Sequence, residues 1–158
     1  MIKKITIAID AMGGENAPEK TIEGVKLFLK NNQTHDDFII NLFGDKKKIE
    51  EKLKKENIDR SKLKITHTDS VVADDETPLT AIKNSKNTSM WNCISSQVIG
   101  DADISLSAGN TGVLLVVSRM ILKMMDDVSK PALAGLWPNN KNMNVVLDLG
   151  ANIECDED

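Results

Sequence analysis

The chain has 158 residues, 20 basic against 24 acidic side chains, 41% hydrophobic and 28% charged residues, and a net charge of −4. That is the makeup of one ordinary globular domain able to bury roughly 70% of its unfolded surface, with an acidic balance that argues against generic nucleic-acid binding. With 3% aromatics and no tyrosine the core must be aliphatic. No stretch approaches the roughly 18 apolar residues of a membrane span, and no apolar run after Lys3 and Lys4 is long enough for a signal peptide.

In chain order, residues 4–9 alternate and are β-branched, which predicts a strand, followed by a loop over 10–16. Pro18 is expected at the first helical position, and Ile22, Val25, Phe28 and Leu29 mark one face of a helix through about Lys30. A second strand is expected over Phe38–Phe43, closed by Gly44 and Asp45. A charged helix follows over Lys46–Glu56, with Ile49 and Leu53 four apart, then a third strand over Leu63–Thr68. Asp69 to Thr77 reads as an acidic loop. Pro78 opens a helical region reaching Ile99, with a break near Asn87, Thr88 and Ser89. Ile104–Ser107 is a fourth strand and Gly112 to about Met125 a helix. Pro131 to Ala134 is a connection or short strand, and Asn144–Leu149 is a last strand ending in Gly150, Ala151 and Asn152.

Strands alternating with helices imply βαβ units and a parallel sheet covered on both faces. Ligands of such sheets bind beyond the carboxyl ends of the strands. Three of those ends carry small, glycine-bearing turns: Asp10, Ala11, Met12, Gly13, Gly14; Ser107, Ala108, Gly109, Asn110, Thr111, Gly112; and Asp148, Leu149, Gly150, Ala151, Asn152. If the strands are parallel, the three turns converge on one rim. Glycines let a backbone approach a ligand, and the first amides of the helix after Gly109 have no partner within it and sit at the positive end of its dipole. The expectation is therefore an anion site, with Gly13, Gly14, Ser107, Gly109, Asn110, Thr111, Gly112 and Asn152 binding phosphate, and with Asn110, Asp10 and Asp148 as candidate catalytic groups. Each has a plainer reading: Asn110 or Thr111 as a helix cap, Asp10 and Asp148 as loop braces.

Neither the dinucleotide fingerprint nor a Walker lysine is present. His35 and His67 lack a partner spacing, Asp74, Asp75 and Glu76 read as solvated, and no metal or cofactor is expected. Cys93 and Cys155 match no zinc or redox spacing and read as reduced thiols. The segment Lys46–Lys64, with nine basic residues against four acidic ones, reads as a solvated face more than as a docking site for an acidic protein.

The run Ile7 to Gly14 with Ala17 and Pro18, the turn Ser107 to Gly112, and the segments Lys86–Met90, Pro131–Ala134 and Leu147–Asn152, in that order, resemble the phosphate acyltransferases of bacterial phospholipid synthesis (PlsX) over the whole chain. The resemblance implies transfer of a long acyl chain from acyl carrier protein to inorganic phosphate, giving acyl phosphate. It also implies a three-layer α/β/α fold with a mainly parallel sheet, similar to phosphotransacetylases and isocitrate-dehydrogenase-like enzymes. A cytoplasmic homodimer, peripheral membrane association and delivery to a glycerol-phosphate acyltransferase are implied with it. Three positions depart from the family pattern: Glu15 and Glu154 stand where aspartate is usual, and Lys130 where arginine is, without the planar fork that grips phosphate. Residues 1–158 are expected to be the amino-terminal part of one α/β acyltransferase domain, inactive alone. A short-chain phosphotransacetylase-like enzyme and a non-catalytic anion-binding or dimerisation module are the alternatives.

Overall fold

In the computed structural model, which describes residues 4–34, 37–73, 75–128 and 130–149, the chain divides into two compact units, Met1–Leu122 and Lys123–Asp158. In the first, β1 (Ile5–Asp10), β2 (Phe38–Gly44), β3 (Leu63–His67) and β4 (Ile104–Ser107) form one sheet in the order β3-β2-β1-β4. Every pairing is parallel, with Ile7 opposite Ile40 and Ile104, and Asp10 opposite Phe43 and Ser107. The expected layered α/β architecture is therefore present.

Alternation sorts the side chains of each strand to opposite faces. Ile40 and Leu42 pack with Ile22 and Val25 of α1 (Glu19–Asn31) and with Ile49 and Leu53 of α2 (Lys46–Lys55). On the other face Ala8 and Phe43 meet Cys93 of α4 (Ser89–Val98) and Ala102. Outside α4 lies a further apolar cluster of Ala81 from α3 (Pro78–Asn84), Met90, Ile94, and Val113 and Val117 from α5 (Thr111–Ile121).

The helix boundaries follow local chemistry. Helix α2 buries only Ile49 and Leu53, so its start is held by polar groups. Asp45 accepts from the Lys47 and Lys48 amides, and His67 Nδ1 accepts from the Lys46 amide at 3.2 Å. His67 Nε2 also lies 3.0 Å from Asp69, so this histidine is a partnered structural group. The expected break between two helices is real: Thr77 closes a capping box on α3, and Thr88 caps α4 by accepting from Trp91 N–H. Pro18 is the N-cap of α1, one position before the helical site predicted for it. Helix α5 stops at Ile121, short of Met125, because Leu122 turns to an extended conformation, ψ 140°.

The second unit corrects one expectation. Its strands β5 (Ala134–Pro138) and β6 (Met143–Leu147) pair antiparallel, with Leu136 opposite Val145. The last strand is thus not a parallel neighbour of β1 or β4. The connection explains this: Asn139 N–H donates to the Asn142 carbonyl, and Asn139 Oδ1 accepts from Lys141 and Asn142. So short a turn can join only antiparallel strands, since a parallel pair needs a crossover of a dozen or more residues.

Candidate functional site

Two of the three predicted turns stand together at the carboxyl rim of the parallel sheet, because the register sets Asp10 beside Ser107. A part-buried polar chain ties them. The Gly109 amide donates to Ser107 Oγ at 3.1 Å, and Ser107 Oγ donates to Asp10 Oδ2 at 2.7 Å. The Met12 amide donates to Asp10 Oδ1 at 3.2 Å. Asp10 is 2% exposed and both its oxygens are engaged, so its geometry is that of the brace between the β1 and β4 loops.

Gly13 lies inside this brace. A Cβ there would come within 2.6 Å of Asp10 Oδ2, 2.8 Å of Ser107 Oγ and 2.9 Å of the Gly109 nitrogen. Gly14 adopts φ +90° and faces the Ala108 carbonyl, which a Cβ would approach to 2.7 Å. Gly13 is therefore demanded by the two brace side chains and the Gly109 backbone, and Gly14 by the Ala108 backbone and its own positive φ.

Asn110 caps α5. Its Oδ1 accepts from Val113 N–H at 3.1 Å, and its Nδ2 donates to the Glu76 carbonyl at 3.1 Å, fastening the signature turn to the acidic loop before α3. The capping reading of Asn110 is thus realised, and the side chain is occupied. What the turn leaves open is backbone: the amides of Gly13, Gly14, Thr111 and Gly112 make no hydrogen bond among the described residues. Unused donors on paired loops, two of them at a helix N-terminus, are the physical makings of an anion site.

Between the two loops and α1 opens a cleft of about 340 Å³, lined by Asp10, Gly13, Gly14, Glu15, Lys20 and Ser107 among others. Lys20, in the first turn of α1, brings a cation to its edge and also bonds Glu23 at 3.3 Å. Sequence reading passed over Lys20, since a lysine in an exposed helical turn carries no signal until the neighbouring loop is placed. Of the remaining predicted residues, Asp148 belongs to the second unit, with φ 54°, and Asn152 lies outside the described residues, as do His35, Asp74 and Cys155. Among the described residues there is no cluster of three or more metal-ligating side chains, and no helix is long and apolar enough to cross a membrane.

Beneath the site, Cys93 is fully buried and donates to the Leu106 carbonyl. Burial, helped by the Asp10 carboxylate, pushes its thiol up to about 12. The unfolded thiol ionises near its ordinary 9.0, so above that pH the unfolded state loses its proton first and folding weakens as pH rises toward about 12. In a Cys155→Ser background, Cys93 is expected to resist iodoacetamide at pH 8 until urea unfolds the chain. Cys93→Ala is expected to flatten the alkaline fall in stability, and rapid labelling of the native chain would contradict the burial described.

Comparison with known proteins gives the chain's relatives and its fold. The model of a family described as "Fatty acid synthesis protein" matches residues 5–158. A phosphate acyltransferase of Pelagibacter ubique is 49% identical over 155 residues, covering 98% of this chain and 45% of that protein. A phosphate acyltransferase of Bradyrhizobium diazoefficiens is 39% identical over 157 residues, covering 99% and 44%. The chain thus spans less than half the length of these relatives. Among solved structures, the EutD phosphotransacetylase from Staphylococcus aureus superposes with a TM-score of 0.61 at 19% identity, over 98% of this chain and 49% of that one, a likeness of fold.

Proposed function

Since the chain belongs to the fatty acid synthesis protein family, whose similar members are phosphate acyltransferases, we propose that it carries the phosphate-holding part of an enzyme that moves a fatty acyl group from acyl carrier protein to inorganic phosphate. A phosphate oxygen attacks the thioester carbonyl, the C–O bond forms, the C–S bond breaks, and the carrier leaves as its thiol while acyl phosphate is released. The nucleophile is the substrate itself, so the protein has to place an anion and no covalent residue is needed. The carrying observation is the brace of Asp10, Ser107 and Gly109 around Gly13, which fixes two loops whose free amides can hold phosphate. Asp10 acts in this reading as a positioning residue, and Asn110 holds the start of α5 in place.

The proposed assembly is a homodimer of full-length chains, peripherally membrane-associated in the cytoplasm. It passes acyl phosphate to a glycerol-phosphate acyltransferase, and residues beyond this chain complete the site. The test is acyl phosphate formation from acyl-acyl carrier protein and phosphate by the protein at its relatives' full length, with acetyl-coenzyme A as the competing donor. Activity with acetyl-coenzyme A alone would favour a short-chain phosphotransacetylase, and none with either donor would leave a binding module.

The 158-residue chain gives a narrower test. Asn110→Asp keeps a capping acceptor for Val113 N–H, loses the donor to Glu76, and adds a negative charge beside the turn. It is expected to cost about 1 kcal/mol of stability and to weaken phosphate binding about tenfold in calorimetric titration, as a like charge a few ångströms away does. Unchanged binding would argue that the turn is only structural.

A further inference from the structure

Asp10, Glu15 and Lys20 are the charged side chains lining the rim cleft, and two of them already have partners. Asp10 is closed to solvent with both oxygens occupied, and Lys20 bonds Glu23. Glu15 is exposed, follows Gly14 directly on the β1 loop, and makes no hydrogen bond or ion pair among the described residues. Gly14 at φ +90° and Asn16 at φ 56° flank it, and the Asn16 carbonyl accepts from the Lys20 amide. The backbone around Glu15 is thus set by its own turn and by the start of α1. A bare carboxylate in a cleft that receives an anion opposes binding by like-charge repulsion. The opposition is relieved when the anion brings a proton, because an ionised carboxylate only accepts and a phosphate hydroxyl can donate to it.

We infer that Glu15 accepts the proton of the bound phosphate, as a hydrogen bond in the resting complex and as a transferred proton in the reaction. The inference rests on the acyl-transfer reading and assigns the one proton that reading must move. A hydrogenphosphate dianion attacks the thioester through an unprotonated oxygen; the C–O bond forms and the C–S bond breaks. The proton passes from the remaining P–OH to Glu15 and on to the departing sulfur. Acyl phosphate and free thiol then appear with no net proton taken up or lost. Proton transfer by a placed carboxylate contributes typically about 10²–10⁴-fold. The same acceptor makes the site choose phosphate over sulfate, an anion of like shape that carries no proton at neutral pH and has nothing to donate to the carboxylate.

Calorimetric titration of the 158-residue chain at neutral pH with inorganic phosphate, and separately with sulfate, gives the first test. The wild type is expected to bind phosphate at least about tenfold more tightly than sulfate. Glu15→Gln, whose amide can donate to either anion, is expected to bring the two within about threefold. Because Glu15 has no partner to lose, the variant is expected to melt at the wild-type temperature. At the relatives' full length, Glu15→Gln is expected to lower kcat about a hundredfold without raising KM for phosphate, and Glu15→Asp to recover most of it. With an aryl thioester of the same acyl chain, whose thiolate leaves without a proton, the glutamine variant is expected to lose little. Equal affinity of the wild type for both anions, an unchanged preference in Glu15→Gln at either length, an unchanged kcat, or the same loss with both thioesters overturns the role of Glu15 and leaves the acyl-transfer reading standing. A wild type that binds neither anion, or makes no acyl phosphate from acyl-acyl carrier protein, counts against that reading and Glu15 together.

Discussion

Gly13→Ala is expected to destabilise the chain by about 3 kcal/mol and to remove measurable phosphate binding. The added Cβ would press on Asp10 Oδ2 at 2.6 Å, Ser107 Oγ at 2.8 Å and the Gly109 nitrogen at 2.9 Å. Two of these atoms form the shortest bond of the brace, and the third is backbone, so none can yield as the tip of a flexible side chain would. Overpacking a tight site costs about 1–3 kcal/mol, and leaving a buried polar group unpaired costs a similar amount. Functionally, the β1 loop must move off the β4 loop, and the amides of Gly13 and Gly14 lose their fixed relation to the signature turn. Urea unfolding and calorimetric phosphate titration check both parts. Gly24→Ala provides the contrast: the same methyl added in open space on a helix is expected to stabilise by about 0.5–1 kcal/mol. A Gly13→Ala chain with the wild-type midpoint and affinity would mean that the two loops are not held as described.

The difference between these two glycines marks where sequence reading stops. The period-2 runs of β1 and β2 and the spacing of Ile49 and Leu53 declare strands and a helix locally, and the structure follows them within a residue or two. The signature turn is equally legible, because small residues between an apolar strand and an apolar helix have few other uses. Gly13 is different: its constraint comes from Ser107 and Gly109, far along the chain, and no local pattern records how closely they approach. Gly24 reads as an ordinary weak point in a helix, and a Cβ there would meet nothing within 4 Å. The pairing of the last strand is another case: a strand stands where one was expected, but it runs antiparallel to its neighbour. Leu136 and Trp137 before, and Val145 and Val146 after, the polar run Asn139 to Asn142 are a hairpin signal. The βαβ alternation stops after α5, with no helix between β5 and β6. Asp10 shows a third limit. A carboxylate ending a strand fits a brace or a catalyst equally in sequence, and only its burial and two committed oxygens separate them.

That separation leads to the second large effect. Asp10→Ala is expected to cost about 3 kcal/mol, because it strands the Ser107 hydroxyl and the Met12 amide and opens a space at a fully packed position. Ser107→Ala is expected to cost about 2 kcal/mol, since it removes the donor to Asp10 and the acceptor for Gly109 N–H together. If the two act as one chain, the double variant falls by about 3 kcal/mol and not by the sum, a coupling of about 2 kcal/mol, within the range for residues sharing a buried network. Additive losses would mean the contact contributes little. The same pair separates a brace from a base. A general base at Asp10 would make Asp10→Asn lose the rising limb of the rate against pH in the full-length enzyme. A brace leaves the shape of that profile intact while its height falls, and Ser107→Ala lowers it in the same way. Because both oxygens of Asp10 already accept protein hydrogen bonds and the group is closed to solvent, the expected result is the unchanged shape, with the two variants losing activity in proportion to the loosening of the loops they hold.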